Sequence, residues 1–423
     1  METVTTDVAC TRCGCVCDDL EVTVADGKVV RARQACSLAE PWFLAQPAPR
    51  RASAEIEGQP VSLEAGIARA AELLRTSRFP LLYGLSRSST IGQRAAVRLA
   101  DRLGAVIDTT ASTCHAPSIM AIQEVGESTC TLGEIRNRAD LVVFWGSNPV
   151  VSHPRHLERY AAEPIGQFVA EGRAGRTLAV VDHERTATAE LADHFLQIQP
   201  GHDFEALSAL RMLIRGIPVA PEAELGVPLD QLADLARRMK ECRCGVVFFG
   251  LGLAHESGGH RAVELLLRLV TDLNAFTRFH AKRMRVWGDV AGADSVLCWQ
   301  TGFPFAVNLA RGYPRYGPGE YSAGDVLRRG EADVCLLVGS EGLRQLPAAA
   351  LDYLRTIPLI ALDYASDDSI IPPTVRFTTA VYGVDLPGTA YRMDEVPIPL
   401  RSFLQSEYPG DHDILAAITA AVG

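Results

Sequence analysis

Two groups of residues in this chain have the types and spacing to do chemistry. The first is a set of thiols near its start. Cys10, Cys13 and Cys17 are spaced C-x2-C-x3-C, Cys15 is interleaved, and Cys36 follows after eighteen intervening residues. Four thiolates converging on a short ribbon suit an iron–sulfur cluster or zinc, with a plain zinc ribbon or unmetallated thiols as the simpler alternatives. The uneven x2/x3 spacing favours a [4Fe–4S] cluster over zinc. The second group is Cys114-His115, a thiol beside an imidazole in a loop of small residues followed by Pro117. Arg285, far along the chain in a stretch rich in aromatics and glycine, is a cation available to a cleft, though a surface or ion-paired role suits it equally.

The elements that must position these groups are read from apolar periodicity. Leu20 to Val24 alternates as a strand, Asp26-Gly27 makes a hairpin turn, and Lys28 to Ala32 returns, which brings Cys36 back toward the Cys10–Cys17 loop. Residues 47–62 read as a linker. Ser62 then caps a helix that runs to Leu74. Phe79 to Gly84 is a strand entering a Gly-Leu-Ser turn, followed by a helix over 91–103 and a strand over 105–108, one βαβ unit. Leu141 to Trp145 is an apolar run of strand length ending in the turn Gly146-Ser147-Asn148-Pro149.

These patterns recur. The stretch 245–252 (GVVFFGLG) resembles 79–84, and is followed by the turn HESGGH and an apolar helix over 262–273. Likewise ADLVVFWGSNP (139–149) resembles ADVCLLVGSEG (332–342), and each is followed by a strand ending in aspartate, TLAVVD (177–182) and PLIALD (358–363). The expected fold is α/β: two duplicated, doubly wound (Rossmann-like) domains plus a small N-terminal Cys-rich β domain. The expected boundaries are 1–55 for the Cys-rich domain, 56–125 with 326–423 for the first Rossmann-like domain, and 126–325 for the second. In such sheets ligands bind beyond the carboxyl ends of the strands. The turns there supply the candidate cofactor-binding residues Gly146, Asn148, His153, Asp182, Thr186, Pro200 and Asp203, because small and Asx residues let backbone N–H groups face a phosphate and a strand-end acid accepts from a ribose or guanine. One such turn alone is ordinary Gly/Pro/Asp punctuation; several on duplicated domains point to a bis-nucleotide cleft.

Composition sets limits. The formal charge of −10 disfavours nucleic acid and anionic membranes as partners. No apolar run is long enough to span a bilayer and the start lacks a secretory pattern, so a cytoplasmic location is expected. Eleven cysteines in a chain of 423 residues suit metal-binding or buried thiols better than a disulfide framework. Cys130, Cys242, Cys244, Cys298 and Cys335 lie in apolar contexts and read as packing thiols. Residues 280–325 read as a long irregular segment whose aromatic content argues against disorder.

Four stretches carry a resemblance: CTRCGCVCDDLEV, STCHAPSIMAIQEVGESTCTLGEIRNRADLVVFWGSNPVVSHPRH, DHERTATAELADHFLQIQPGHD and TGFPFAVNLARGYPRYGPGE. Through them the chain resembles the B subunit of formylmethanofuran dehydrogenase, within the molybdopterin-oxidoreductase superfamily that includes formate dehydrogenases, nearly end to end. The resemblance implies a [4Fe–4S] cluster on Cys10, Cys13, Cys17 and Cys36, and a tungsten or molybdenum bis-molybdopterin guanine dinucleotide whose metal Cys114 ligates. His115 and Arg285 match the two polar residues beside it, a proton-transferring imidazole and a carboxylate-binding guanidinium. The pattern departs from the family after Arg285, where Val286-Trp287-Gly288-Asp289 stands and bulk could fill space meant for cofactor. Bacterial relatives are part of a formyltransferase/hydrolase complex of one-carbon metabolism, which takes formyl-tetrahydromethanopterin to formate via methanofuran, and there the polypeptide is a non-redox scaffold. The altered loop and the Arg-rich composition, in which Lys28, Lys240 and Lys282 are the only lysines, favour the scaffold. The intact Cys114-His115 and the N-terminal cysteines favour the oxidoreductase, which reduces carbon dioxide to formate or runs the reverse; on balance the expected role is the non-redox scaffold, with the oxidoreductase as the alternative. Either reading implies a hetero-oligomer with formyltransferase-like and amidohydrolase-like subunits. An exposed aromatic patch of Trp287, Trp299, Phe303 and Phe305 is the expected contact surface.

Overall fold

The computed structural model describes residues 2–255, 258–367 and 369–423; positions 256 and 257 of the expected HESGGH turn lie outside the described residues. The chain divides into two compact units, Met1–Thr113 with Trp287–Gly423, and Cys114–Val286. No helix among the described residues is long and apolar enough to cross a membrane.

The second unit is a five-stranded, all-parallel sheet. Its order is His194–Gln197, Thr177–Asp182, Leu141–Trp145, Cys244–Phe249, Arg278–Arg283. The central strands LVVFW and CGVVFF are wholly buried, as β-branched and aromatic runs in a sheet covered on both faces must be. One face packs Val143, Trp145, Val247 and Phe249 against helices Asp203–Ile214, Leu229–Glu241 and Gly259–Leu273.

The first unit holds a nine-stranded sheet. Its parallel centre is ordered Val106–Thr109, Pro80–Gly84, Val334–Val338, Leu359–Tyr364, Val375–Thr379. The stretches matched in sequence occupy matching places in the two sheets: 80–84 and 244–249 lie between a strand that follows each in the chain and the strands 334–338 and 141–145, with 359–364 and 177–182 beyond. Helix Leu63–Thr76 begins where Ser62 accepts from the Ala65 N–H (3.2 Å), and Thr90–Leu103 ends at Gly104 in the left-handed conformation. Ahead of these, strands Glu2–Val8, Leu20–Ala25 and Lys28–Arg33 form an antiparallel ribbon, with Asp26 and Gly27 both at positive φ in the turn.

Three expectations are corrected. Within the expected linker, Ala54–Ile56 and Gln59–Val61 form a hairpin that pairs antiparallel with Val375–Thr379 at the sheet edge; Glu57-Gly58, both at positive φ, turn it. The segment 280–325 is not irregular throughout: it contains helix Val290–Thr301, seated by the buried Asp289, whose carboxylate accepts from Gln93 Nε2 (2.8 Å) and the Tyr391 N–H. The aromatic patch is not one surface. Phe305 is buried, Phe303 stacks on Tyr316 at 5.2 Å between centroids, Trp287 is half-buried, and of the four only Trp299 is exposed. Of the expected packing thiols, Cys244 and Cys335 are buried, whereas Cys298 is exposed.

Candidate functional site

Cys114, His115 and Arg285 come from the two chain ends of the second unit. All three are buried. His115 opens helix Ala116–Val125, and its two ring nitrogens are both engaged. A carbonyl only accepts, so Nε2 carries the hydrogen that is donated to the Met284 carbonyl (2.9 Å), and Nδ1 accepts from the Ser118 hydroxyl (3.2 Å). Burial, reinforced by the Arg285 charge, pushes the His115 pKa well below the ordinary histidine range. The imidazole is therefore neutral. The carbonyl of Cys114 accepts from His255 Nε2 (3.0 Å).

Arg285 is gripped by the next predicted residue. His153 Nε2 donates to the Arg285 carbonyl (2.7 Å) while Nδ1 pairs with the Ser152 hydroxyl (2.8 Å). Burial brings the His153 pKa down to about 4, against the opposing pull of that carbonyl. Two histidines from two turns thus hold successive carbonyls, 284 and 285, just past the end of strand Arg278–Arg283.

Gly146, Asn148 and His153 line one cleft of about 230 Å³, together with Ser147, Val151, Ser152, Gly250, Leu251, Gly252, Met284 and Val286. It opens where strands Leu141–Trp145 and Cys244–Phe249 end. The two turns cross so closely that a β-carbon on Gly146 (φ +55°) would stand 2.7 Å from the Leu253 nitrogen, and one on Gly250 would strike the Gly146 carbonyl. Asp182, Thr186, Pro200 and Asp203 do not line this cleft. Asp182 is half-buried at its strand end and accepts from the His183 N–H (2.8 Å); burial raises its pKa. Thr186 accepts from the Ala189 N–H (3.2 Å), and Pro200 is exposed. The buried Asp203 carboxylate is taken up by the Trp145 indole N–H and by His183 Nε2 (3.0 Å), so it anchors the central strand to the next loop.

The N-terminal thiols also meet. Cys10, Cys13 and Cys17 are buried and Cys36 is half-buried. The Cys10 N–H donates to the Cys17 carbonyl (2.8 Å), closing the loop. Burial, then the neighbouring Cys13, Cys17 and Cys36, push the Cys10 thiol pKa up, and Cys36 is raised by burial with added contributions from Cys13 and Cys17. Among the described residues no three His, Cys, Asp or Glu groups are arranged around a single metal ion.

Other residues gave no signal in the sequence. Thr188, wholly buried, donates to Asn148 Oδ1 (2.7 Å) and ties the 183–190 loop to the cleft. His156 is enclosed by Phe144, Phe248 and Tyr160, neither ring nitrogen has a hydrogen-bond partner, and burial takes its pKa to about 3. In the first unit the corresponding strand ends carry charge. Arg87 pairs with Asp367 (2.6 Å), and Glu341 has both carboxylate oxygens buried without a partner and a pKa pushed up to about 7 by burial.

No protein-family model matches the chain. It is 40% identical over 412 residues to the B subunit of the tungsten-containing formylmethanofuran dehydrogenase 2 of Methanocaldococcus jannaschii, covering 96% of this chain and 94% of that one. It is 28% identical over 288 residues to the B subunit of the formyltransferase/hydrolase complex Fhc of Methylorubrum extorquens, covering 68% of this chain and 75% of that one. Among solved structures it is similar to a chain of the crystal structure of the formyltransferase/hydrolase complex FhcABCD from Methylorubrum extorquens in complex with methylofuran. The TM-score is 0.72 at 25% identity, with 87% of this chain and 98% of that chain covered.

Proposed function

The chain belongs to the family of formylmethanofuran dehydrogenase B subunits, and on that premise we propose that it is the formate-dehydrogenase-like component of a hetero-oligomeric formylmethanofuran dehydrogenase. What supports the proposal is that His115 and His153 hold the Met284 and Arg285 carbonyls within one unit, so that Cys114-His115 and Arg285 stand close to the cleft at the strand ends, although none of these three lines it. The likeness to the tungsten-containing relative, 40% identical against 28% for the Fhc relative, supports the redox reading over the scaffold. We also take the two parallel sheets as copies of one doubly wound unit, on the strength of their matching strand orders.

The residues fit the implied groups. Cys10, Cys13, Cys17 and Cys36 would hold the cluster, and Cys114 the tungsten or molybdenum. When bound, the metal and its dinucleotides supply the two-electron exchange between carbon dioxide and formate. Arg285 supplies a fixed positive charge for the carboxylate of formate, buried and so weakly screened. His115 is held neutral with its Nε2–H committed to Met284, so any proton it moves passes through Nδ1 and the Ser118 hydroxyl. The His153 grip on the Arg285 backbone keeps the cation from swinging away.

One observation favours the scaffold reading. Met284 and Val286 face the cleft, whose roughly 230 Å³ is small for a dinucleotide. Metal analysis of the purified complex, with Cys114→Ala, tests between them. Stoichiometric tungsten or molybdenum, with dehydrogenase activity reduced by more than about a hundredfold in the variant, is expected; loss of a ligand should exceed the loss from a supporting residue. A complex without either metal whose Cys114→Ala variant keeps formyl transfer and hydrolysis within a few-fold of wild type overturns the redox reading.

A further inference from the structure

Three histidines of the second unit each hold a backbone carbonyl beside the candidate site. His115 and His153 take those of Met284 and Arg285, and both are buried. The third, His255, is exposed. Its Nε2 stands 3.0 Å from the Cys114 carbonyl, and because a carbonyl only accepts, Nε2 carries the hydrogen. The peptide it grips lies outside regular structure. Helix Ala116–Val125 takes a bond at the His115 carbonyl, from the Ile119 N–H (3.0 Å), so the Cys114 carbonyl sits one residue ahead of the helix ladder.

His255 is itself held by the turn that lines the cleft. Gly250, Leu251 and Gly252 are walls of that cleft. The Gly250 N–H donates to the Trp145 carbonyl (3.0 Å) and the Gly252 N–H to the Gly146 carbonyl (3.1 Å), which fixes this turn to its neighbour. His255 ends the turn, its own N–H donating to the Leu251 carbonyl (2.9 Å). Behind it, a β-carbon on Gly259 would stand 2.2 Å from the Ala254 carbonyl oxygen, so the start of helix Gly259–Leu273 presses on the turn. That helix packs along Ala116–Val125. Past the far ends of the two helices, Asn274 Nδ2 and the Ser128 hydroxyl both donate to the Phe279 carbonyl (2.8 and 3.0 Å).

We infer that His255 is a positioning residue for Cys114: it fastens the peptide that carries the thiol to the turn that walls the cleft, so that both keep one geometry. The inference rests on the reading that Cys114 ligates tungsten or molybdenum, and adds to it the residue that aims the ligand. A ligand atom has to be held to within about 0.5 Å of its bonding position. One staggered torsion separates the Cys114 sulfur from its backbone, so a fixed peptide leaves the sulfur few places to stand. His115 does not fix this peptide through its ring, because its Nε2–H is committed to Met284. A water in place of the imidazole would satisfy the carbonyl without fixing it, since water is not attached to the turn.

The test uses the full chain in its complex, purified without oxygen, with metal analysis and electron paramagnetic resonance of the pentavalent metal. His255→Ala is expected to hold tungsten or molybdenum about tenfold less tightly, read as metal per chain after dilution and gel filtration. The resonance of the fraction that remains should move in g value, which follows the placement of the ligand sulfur. His255→Gln, whose amide N–H stands as far along the side chain as the imidazole Nε2, should restore both. His255→Met keeps bulk without a donor, and carries the test if the alanine variant does not fold. Full metal with an unchanged resonance in His255→Ala, or in His255→Met should alanine not fold, overturns the inference. So does a His255→Gln variant as impaired as the donorless ones. A wild-type complex without tungsten or molybdenum overturns the underlying reading and the inference with it, and is told apart from the other outcomes before any variant is made.

Discussion

The ends of strands 80–84 and 334–338 in the first unit, and of 244–249 and 141–145 in the second, stand at the same place in the same strand order and have been finished differently. In the second unit the two turns are glycines and small polar residues around an open cleft, flanked by neutral imidazoles. In the first the space is narrowed to about 10 Å³ and lined by the ionisable side chains of Arg87, Asp367 and Asp411 with the strand-end phenol of Tyr364, and Glu341 stands beside them. Glycines cross in both. Gly84 has φ +115°, and a β-carbon there would stand 2.5 Å from the Val338 carbonyl oxygen. The difference teaches that the crossing of the two turns belongs to the sheet, whereas polarity and room belong to the residues set on top of it.

The strongest way to break the comparison is to fill both crossings. Gly84→Ala meets backbone on a rigid strand and an unfavourable φ together, and should destabilise by about 3 kcal/mol or more. Gly146→Ala, at a φ that alanine tolerates at modest cost, should lose about 2 kcal/mol. Calorimetric unfolding of the two variants ranks them; equal losses would mean that the crossings are not set by backbone contact in the way described.

Next is pH. Glu341 has a folded pKa of about 7, above its ordinary value, so its contribution is complete below about pH 4.5 and is lost as pH rises through 7. His153 and His156 have folded values of about 4 and 3, below their ordinary value. Their contribution is complete above about pH 6.5 and is lost as pH falls through those values. By these shifts Glu341 and His153 are each worth about 3 kcal/mol and His156 about 5 kcal/mol. Hydrogen exchange, corrected for intrinsic rates, should show residues 146–160 losing protection on acidification and residues 338–346 losing it toward neutral pH. Glu341→Gln should flatten the second trend. Slopes of the same sign in both regions would refute the contrast. The smallest expected effect comes from Thr188→Val, which removes the donor to Asn148. It should cost about 1 kcal/mol and speed proteolysis in the 183–190 loop, with strand ends in the first unit untouched.

The parallel strands were legible because each is an apolar run closed by turn residues, and a run buried on both faces needs no alternation to be seen. The N-terminal hairpin was legible from its Asp26-Gly27 turn between two alternating runs, and it forms where the sequence put it; the ligand role of Cys10, Cys13, Cys17 and Cys36 was read from spacing alone. Glu341 and Arg87 were not, since an acid in a Gly-Ser-Glu-Gly turn reads as exposed until packing buries its oxygens. Thr188 was silent for a similar reason: one hydroxyl among polar loop residues acquires meaning only when Asn148 faces it. The hairpin 54–61 was missed because its proline and charged residues mask a short edge strand, which survives by pairing with Val375–Thr379. The roles of Asp182, Thr186 and Pro200 rested on turn chemistry, and that chemistry is met locally by neighbours whether or not a ligand arrives.

The bond from His115 to Met284 joins the second residue of the inserted unit to its third from last. Topologically, a segment tied at its ends is a ring with one gap, and the position of the gap is arbitrary. The first unit exhibits the alternative, since the parallel centre of its sheet has the same order with the chain opened elsewhere, two strands before the insertion and three after it. A permuted second unit, with Val286 linked to Cys114 and new ends in the exposed stretch 215–224, would write Met284, Arg285, Cys114 and His115 as one continuous motif, and a set of residues now scattered across the chain would become a local word.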